Sequence, residues 1–349
     1  MSGWGTVMVN GESVKMNWLG EEDYKILAAQ AAAEKPKPAA GFTRADQVQI
    51  KPVDWLIENW IARDSLAGIV GKSGSCKSFL AVDWACRVAT GTPWQGNAVK
   101  RGAVFILAGE GRNGLRKRIE GWSAHNKVPI EGAPLYLATQ LPRLDHITTA
   151  ALMEEVDALA EETFFENGGA DPALIIVDTL ARAMAGDENS SKDMGLMIEC
   201  ADWLRERYPG CVVALVHHSG HGPENRARGS SAFYAALDSE VQLKPLKSGD
   251  VQLWASKAKD WQLARPMQFR RHKVEITVPG ADEPTSTLVL ASTAMETPKD
   301  RTAEVAELRA QKKSIREISE ATGIPKSTVS RLLKDDKQEV PVWEQEFGE

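Results

Sequence analysis

The chain has 349 residues, 43% of them apolar and 26% charged, with a formal net charge of −6. That apolar fraction can build a core and excludes wholesale disorder. The mildly acidic balance excludes a histone-like mode of nucleic-acid binding but leaves room for a local basic site. No run approaches the ~18 apolar residues of a membrane span, and the first ten residues lack the basic start and apolar run of a secretory signal. Four cysteines, Cys76, Cys86, Cys200 and Cys211, show no CxxC spacing. They predict reduced thiols in a cytoplasm, with neither a disulfide scaffold nor a zinc ribbon.

Residues 1–50 read as an N-terminal segment and linker. A short helix is expected over 21–30, and 28–41, rich in Ala, Lys and Pro, reads as the linker. Residues 51–295 read as one α/β domain. Apolar runs of strand length at 66–70, 104–108, 135–138, 174–177 and 212–216 are rich in Val, Ile and Leu, and burial on both faces is expected for each. Stretches of helical period, such as 79–90 and 149–162, fall between them. This alternation predicts a mostly parallel sheet with helices on both faces.

The first run leads into Gly71-Lys72-Ser73-Gly74-Ser75-Cys76-Lys77-Ser78 and then a helical stretch opened by Phe79. The segment satisfies G-x-x-x-x-G-K-[ST] at every fixed position but one: Cys76 stands where the second glycine is expected. A loop of this kind turns backbone N–H groups around phosphate oxygens, while a lysine reaches the β- and γ-phosphates and a hydroxyl ligates Mg²⁺. Gly71, Ser73, Gly74, Ser75, Cys76, Lys77, Ser78 and Phe79 are therefore expected to hold ATP, and Ser78 to hold Mg²⁺. The competing reading is a degenerate turn. Cys76 brings a Cβ to a place where glycine is preferred, and a thiol beside Lys77 and phosphates is expected to have a lowered pKa.

A parallel sheet gathers ligand groups at the carboxyl ends of its strands. Glu110 ends the second run and is placed to activate water for attack on the γ-phosphate, or else is a solvated loop residue. Asp178 ends the fourth run and is expected on the Mg²⁺ side. His217, His218 and Ser219 end the fifth run, where a polar side chain can sense the γ-phosphate. His217, His218 and His221 also admit a zinc reading, which lacks an accompanying carboxylate or thiolate at ligand spacing. Arg226 and Arg228 precede a small-residue helix start and are placed to reach a γ-phosphate held by a neighbouring subunit, with a surface ion pair or a nucleic-acid phosphate as alternatives. Lys257 and Lys259 are weaker candidates of the same kind.

After residue 235 strand-like runs at 240–246, 251–255, 273–278 and 286–290 follow without intervening helices, and an antiparallel extension of the sheet is expected. A break at 296–300 precedes a small helical domain over 301–337. Helices are expected at 301–311, 314–322 and 325–335, with Val305, Leu308, Ile315, Ile318, Val329, Leu332 and Leu333 at helical spacing. Gly323 takes the place of a tight turn and Pro325 that of a first-turn residue, the pattern of a helix-turn-helix. Its second helix would offer Lys326, Ser327, Thr328, Ser330 and Arg331 to a major groove, and a protein-interaction module is the alternative. Residues 338–349 are an acidic tail carrying Trp343 and Phe347, read as solvated or as a site for a partner.

Taken in order, GKSGSCKS, VFILAGEG, LIIVDT, ALVHHSGHG and RARGSSAFYAALD resemble the RecA-like ATPases of phage and plasmid replication, and above all the RepA-type hexameric replicative helicases. The resemblance covers residues 52–290. It implies a RecA-like fold and a homo-oligomeric ring, a hexamer, with ATP and Mg²⁺ at each interface. It implies Lys77 and Ser78 on phosphate and Mg²⁺, Glu110 as catalytic base, Asp178 on Mg²⁺, and a histidine at 217 or 218 as γ-phosphate sensor. Arg228 would be the arginine finger, and Arg118 a second basic residue near the phosphates. Loops at 183–193 and 219–228 would face single-stranded DNA in a central channel, although the first is net acidic. The C-terminal unit resembles a resolvase-type helix-turn-helix, which implies contact with duplex DNA, and the acidic tail would suit replication proteins.

Overall fold

A computed structural model describes residues 3–9, 12–18, 42–109, 111–167, 171–220, 229–277, 283–293, 308–311, 313–322, 329 and 333. The chain divides into two compact units, Met1–Pro52 and Val53–Glu349. In the first, strands β1 (Gly3–Val9) and β2 (Glu12–Trp18) form an antiparallel pair with Val9 opposite Glu12. The two residues between them are Asn10 and Gly11, a strong hairpin signal. The helix expected over 21–30 lies outside the described residues.

The second unit opens with a small antiparallel pair, β3 (Trp55–Ile57) and β4 (Ile61–Ala62), whose turn places Asn59 at φ 63°. The main sheet then builds from β5 (Leu66–Gly71), helix α1 (Lys77–Thr90), β6 (Ala103–Ala108), α2 (Arg112–Asn126), β7 (Leu135–Leu137), α3 (His146–Asn167), β8 (Pro172–Asp178), α4 (Leu180–Ala183), α5 (Ser191–Arg207) and β9 (Val212–His218). It continues with α6 (Ser231–Ala236), β10 (Ser239–Pro245), β11 (Val251–Ala258), β12 (Met267–Ile276) and β13 (Thr285–Thr293). The nine strands lie in the order β13-β12-β11-β10-β5-β9-β8-β6-β7. From β10 to β7 the neighbours run parallel, and from β10 to β13 antiparallel. This is the expected α/β architecture, a mostly parallel RecA-like sheet with an antiparallel extension.

Alternation along the strands explains the double burial. Ala67 and Ile69 of β5, Val104 and Ile106 of β6, and Leu174 and Ile176 of β8 pack with α1 and α2. Their neighbours Leu66, Val70, Phe105, Leu107, Ile175 and Val177 pack with α3 and α5 on the other face. Two expectations need correction. The run at 135–138 is not buried on both faces, because β7 is an edge strand and only partly covered. The run at 240–246 is not purely antiparallel: β10 pairs antiparallel with β11 as expected but parallel with β5, because α6 carries the chain over the sheet before β10 starts.

Two clamps hold the helix that follows the phosphate loop. Buried Asp83 of α1 accepts from Trp94 Nε1 at 2.7 Å and from Trp122 Nε1, on α2, at 2.6 Å, with Arg87 Nε 3.5 Å away. Burial pushes the Asp83 carboxyl up, and its indole and guanidinium partners pull it back. All four cysteines are free thiols in the interior. Among the described residues no helix is long and apolar enough to cross a membrane.

In the C-terminal stretch, α7 (Ile315–Thr322) begins with a capping box. Ser314 N–H donates to Glu317 Oε2 at 2.8 Å, and Glu317 N–H donates to Ser314 Oγ at 3.3 Å. Ile318 and Val329 are buried together against Leu308, Ile315 and Leu333, five of the positions expected to form this small core.

Candidate nucleotide site

The chain between β5 and α1 turns back on itself at the carboxyl edge of the sheet. A Cβ at Gly71 would sit 2.5 Å from Ser75 Oγ and 2.6 Å from the Leu243 carbonyl, so only glycine fits there. Gly74 takes φ +76° and Cys76 takes φ 68°, ψ 23°, the left-handed region. The second glycine of the motif is thus expected for its positive φ, and Cys76 occupies that conformation at a cost of roughly 1–2 kcal/mol. The thiol reading needs correction: Cys76 is buried, and burial pushes its pKa up, against the lowering pull of Arg271, Arg118 and Lys77.

Lys77 is the first residue of α1 and is buried. Its ammonium donates to the Gly71 carbonyl at 2.8 Å and the Lys72 carbonyl at 3.0 Å, and lies 3.3 Å from His218 Nδ1. An ammonium has no lone pair, so Nδ1 accepts and the proton of a neutral ring sits on Nε2. Burial lowers the Lys77 pKa, and the charge of Asp178 raises it in part. Asp178 closes β8 at 7% exposure, opposite Ala108 of β6, and a cis peptide joins it to Thr179.

A cavity of about 500 Å³ unites these groups. Its walls include Ser73 to Phe79 of the loop, Arg118, Asp178, Arg182 and His218. The Arg118 guanidinium lies over the Phe79 ring at 4.5 Å, so the loosely matched Arg118 does reach the site. His217 does not. Successive strand residues face opposite sides, and His217 is wholly buried edge-on to Phe233 at 5.0 Å. His217 and His218 therefore do not converge on one metal site, and among the described residues no group of three or more His, Cys, Asp and Glu could hold a metal ion. Arg182 went unnoticed in the sequence. It donates to the Gly109 carbonyl at 2.8 Å, tying α4 to the end of β6, and its position four residues after Asp178 was the available signal.

Lys257 donates to the Tyr234 and Ala235 carbonyls at 2.7 and 3.2 Å, and Lys259 pairs with Asp238 at 3.3 Å, so both serve α6 and the start of β10. The loop over 183–193 meets the segment after β9 where Ser230 N–H donates to the Glu188 carbonyl at 2.9 Å. Glu110, His221, Arg226 and Arg228 lie outside the described residues, as do Lys326, Ser327, Thr328, Ser330 and Arg331.

The walls fit a nucleoside triphosphate with Mg²⁺. Lys77, Arg118 and Arg182 face one carboxylate, Asp178, which leaves the cavity positive. The volume falls within the ~300–1,000 Å³ of small-molecule sites. The buried hydroxyl of Ser75 has no hydrogen-bond partner among the described residues, and α1 directs its N-terminus at the cavity. Ser78 and Asp178 supply the hydroxyl and carboxylate oxygens that suit Mg²⁺, which takes few protein ligands and completes its shell with phosphate and water.

Residues 32–224, more than half of the chain, match the family model of the AAA domain. That span contains the loop, Asp178 and His218, and is of RecA-like P-loop ATPase type. Residues 307–335 match the IclR helix-turn-helix domain, which replaces the resolvase type read from the sequence. A search of curated proteins finds no match.

Proposed function

The chain belongs to the AAA domain family, and from that premise we propose that it is an oligomeric, Mg²⁺-dependent ATPase that acts as a DNA motor, a replicative helicase of phage or plasmid type. One observation carries the reading: the Lys77 ammonium, the Asp178 carboxylate and the His218 imidazole, from three separate elements, line one positive cavity at the strand ends. Bound ATP would supply the phosphoanhydride whose hydrolysis drives the motor. Lys77 and the loop N–H groups would hold the phosphates, with Gly71, Ser73, Gly74, Ser75 and Cys76 shaping the cradle. Ser78 and Asp178 would hold Mg²⁺, and Arg118 over Phe79 would close the outer wall. Glu110, two residues beyond Ala108, would take the proton of the attacking water, and a Glu110→Gln variant with undiminished hydrolysis removes it from that role. Arg228 of a neighbouring copy would meet the developing charge, and His218 would register the γ-phosphate through Nε2–H.

Two surface features support assembly with further copies. Phe42 and Ile50 stand 99% and 100% exposed. Separately, an apolar cavity of about 340 Å³ opens beside β7 among Phe105, Tyr136, Leu137 and Leu152. We take the domains as 1–50, 51–295, 301–337 and 338–349. The helix-turn-helix would engage duplex DNA through Lys326, Ser327, Thr328, Ser330 and Arg331, and single-stranded DNA would run through the ring. The test is ATP hydrolysis with and without single-stranded DNA, with particle size measured in the same samples. Closed rings with DNA-stimulated turnover are expected. Unstimulated turnover with a footprint at one duplex site would indicate an assembly switch instead, and filaments a strand-exchange ATPase.

A further inference from the structure

A second cavity, of about 220 Å³, shares no lining residue with the nucleotide cavity. It lies between the start of the phosphate loop (Gly71, Lys72), Ser219 just after β9, and the end of β10 from Gln242 to Pro245. Its charged side chains are Lys72 and Lys244, both exposed, and no carboxylate lines it. Ser219 is 8% exposed, and its hydroxyl is buried with no hydrogen-bond partner among the described residues. A buried hydroxyl without a partner is a costly arrangement that a ligand can relieve.

We propose that this cavity binds a phosphate of a single-stranded nucleic acid and couples the strand to Lys77, an inference that rests on the DNA-motor reading. Two ammonium groups and a hydroxyl donor match the oxygens of a phosphodiester. The volume holds a phosphate group and is smaller than the ~300 Å³ lower bound of a site for a whole small molecule. The exposed lysines open it to the surface, where a strand can continue in both directions. Its walls adjoin the acceptors of the catalytic ammonium. Lys72 supplies a carbonyl that Lys77 Nζ donates to, and Ser219 N–H donates at 3.1 Å to the Gly71 carbonyl, which takes another Lys77 bond. His218, the residue before Ser219, presents Nδ1 to the same ammonium. A phosphate seated between Lys72 and Ser219 therefore acts on the surroundings of Lys77 directly, with no relay through the helices.

The test uses the full chain, wild type against Lys244→Ala and Ser219→Ala. Labelled oligothymidylate binding is followed over a salt series, and ATP turnover is measured with and without the oligonucleotide. Lys244→Ala should reduce the slope of log affinity against log salt by ~0.7, the value for one contact to a single strand. It should also abolish stimulation and leave basal turnover unchanged. Ser219→Ala should weaken binding severalfold with the salt slope kept. If wild type is stimulated and Lys244→Ala is indistinguishable from it, the site is wrong and the motor reading stands. If the variants lose affinity as expected while wild type shows no stimulation, the strand site stands, but its coupling to Lys77 is overturned and the motor reading fails. Pyrophosphate competing for Lys244 with oligothymidylate binding unaffected would mean that free phosphate is the ligand, and overturns the proposal.

Discussion

The parallel and antiparallel halves of the sheet treat their side chains differently. Strands β5, β6 and β8 are buried along their whole length, whereas β12 exposes Arg270, Arg271, His272 and Lys273 in succession. Where helices cover both faces, each strand end is fixed by neighbours on every side, and a lysine, a carboxylate and an imidazole from distant parts of the chain meet within one cavity. Where the sheet thins to the β12–β13 ribbon, charges are tolerated on either face. A titratable residue in the first setting is placed by the fold, and one in the second is placed mainly by solvent.

Substitution should sharpen this contrast. Lys77→Ala is expected to lower ATP turnover by about 10³-fold, as loss of a positioned charge on a transferring phosphoryl group does. Lys273→Ala on the ribbon should leave turnover within error, and steady-state hydrolysis reads both. Asp83→Ala strips the acceptor from two buried indoles and leaves Arg87 without its carboxylate, and it should cost about 2–5 kcal/mol in urea unfolding. Arg270, whose Nε lies 3.8 Å from Asp250, is exposed, and its replacement by Ala should cost less than ~0.5 kcal/mol.

A smaller effect lies in the pH dependence. Burial holds Lys77 below its ordinary value of 10.5, so the ammonium is lost earlier on the alkaline side than that of a solvated lysine. Nucleotide affinity should therefore fall with an apparent pKa below 10.5. Stability has the opposite sign. The unfolded chain keeps this proton at higher pH than the folded one, so folding gains from Lys77 as pH rises through the folded pKa toward the unfolded one. A Lys77→Met variant removes that gain, which a pH series of thermal melts detects. A stabilising change of similar modest size is Cys76→Gly, which relieves a left-handed residue and should raise stability by about 1 kcal/mol with the loop geometry kept. If it lowers stability, the thiol packs more favourably than its backbone conformation costs.

Much of the parallel half was legible because double burial writes itself as unbroken Val, Ile and Leu runs, and because Lys77 and Asp178 follow those runs directly. The ribbon was not: the span given to β12 began at 273, since Arg270 to Lys273 read as polar, and a strand exposed on both sides has no apolar signature. The parallel course of β10 depended on the crossover through α6, a helix of only six residues that the sequence barely announces. His217 and His218 could not be told apart without the strand register, and the place of Arg182 four residues after Asp178 gained meaning once α4 folded it back onto Gly109. The hairpin at 3–18 was announced by Asn10-Gly11 and was missed for want of chemistry around it.

The central claim is that the turn ending in Lys77 holds a triphosphate with Mg²⁺ between it and Asp178. Calorimetric titration of the full chain with a non-hydrolysable ATP analogue, with and without Mg²⁺, tests it most directly. Saturable binding that strengthens with Mg²⁺ and disappears in Lys77→Ala is predicted, and binding absent from wild type or indifferent to Lys77 would contradict it.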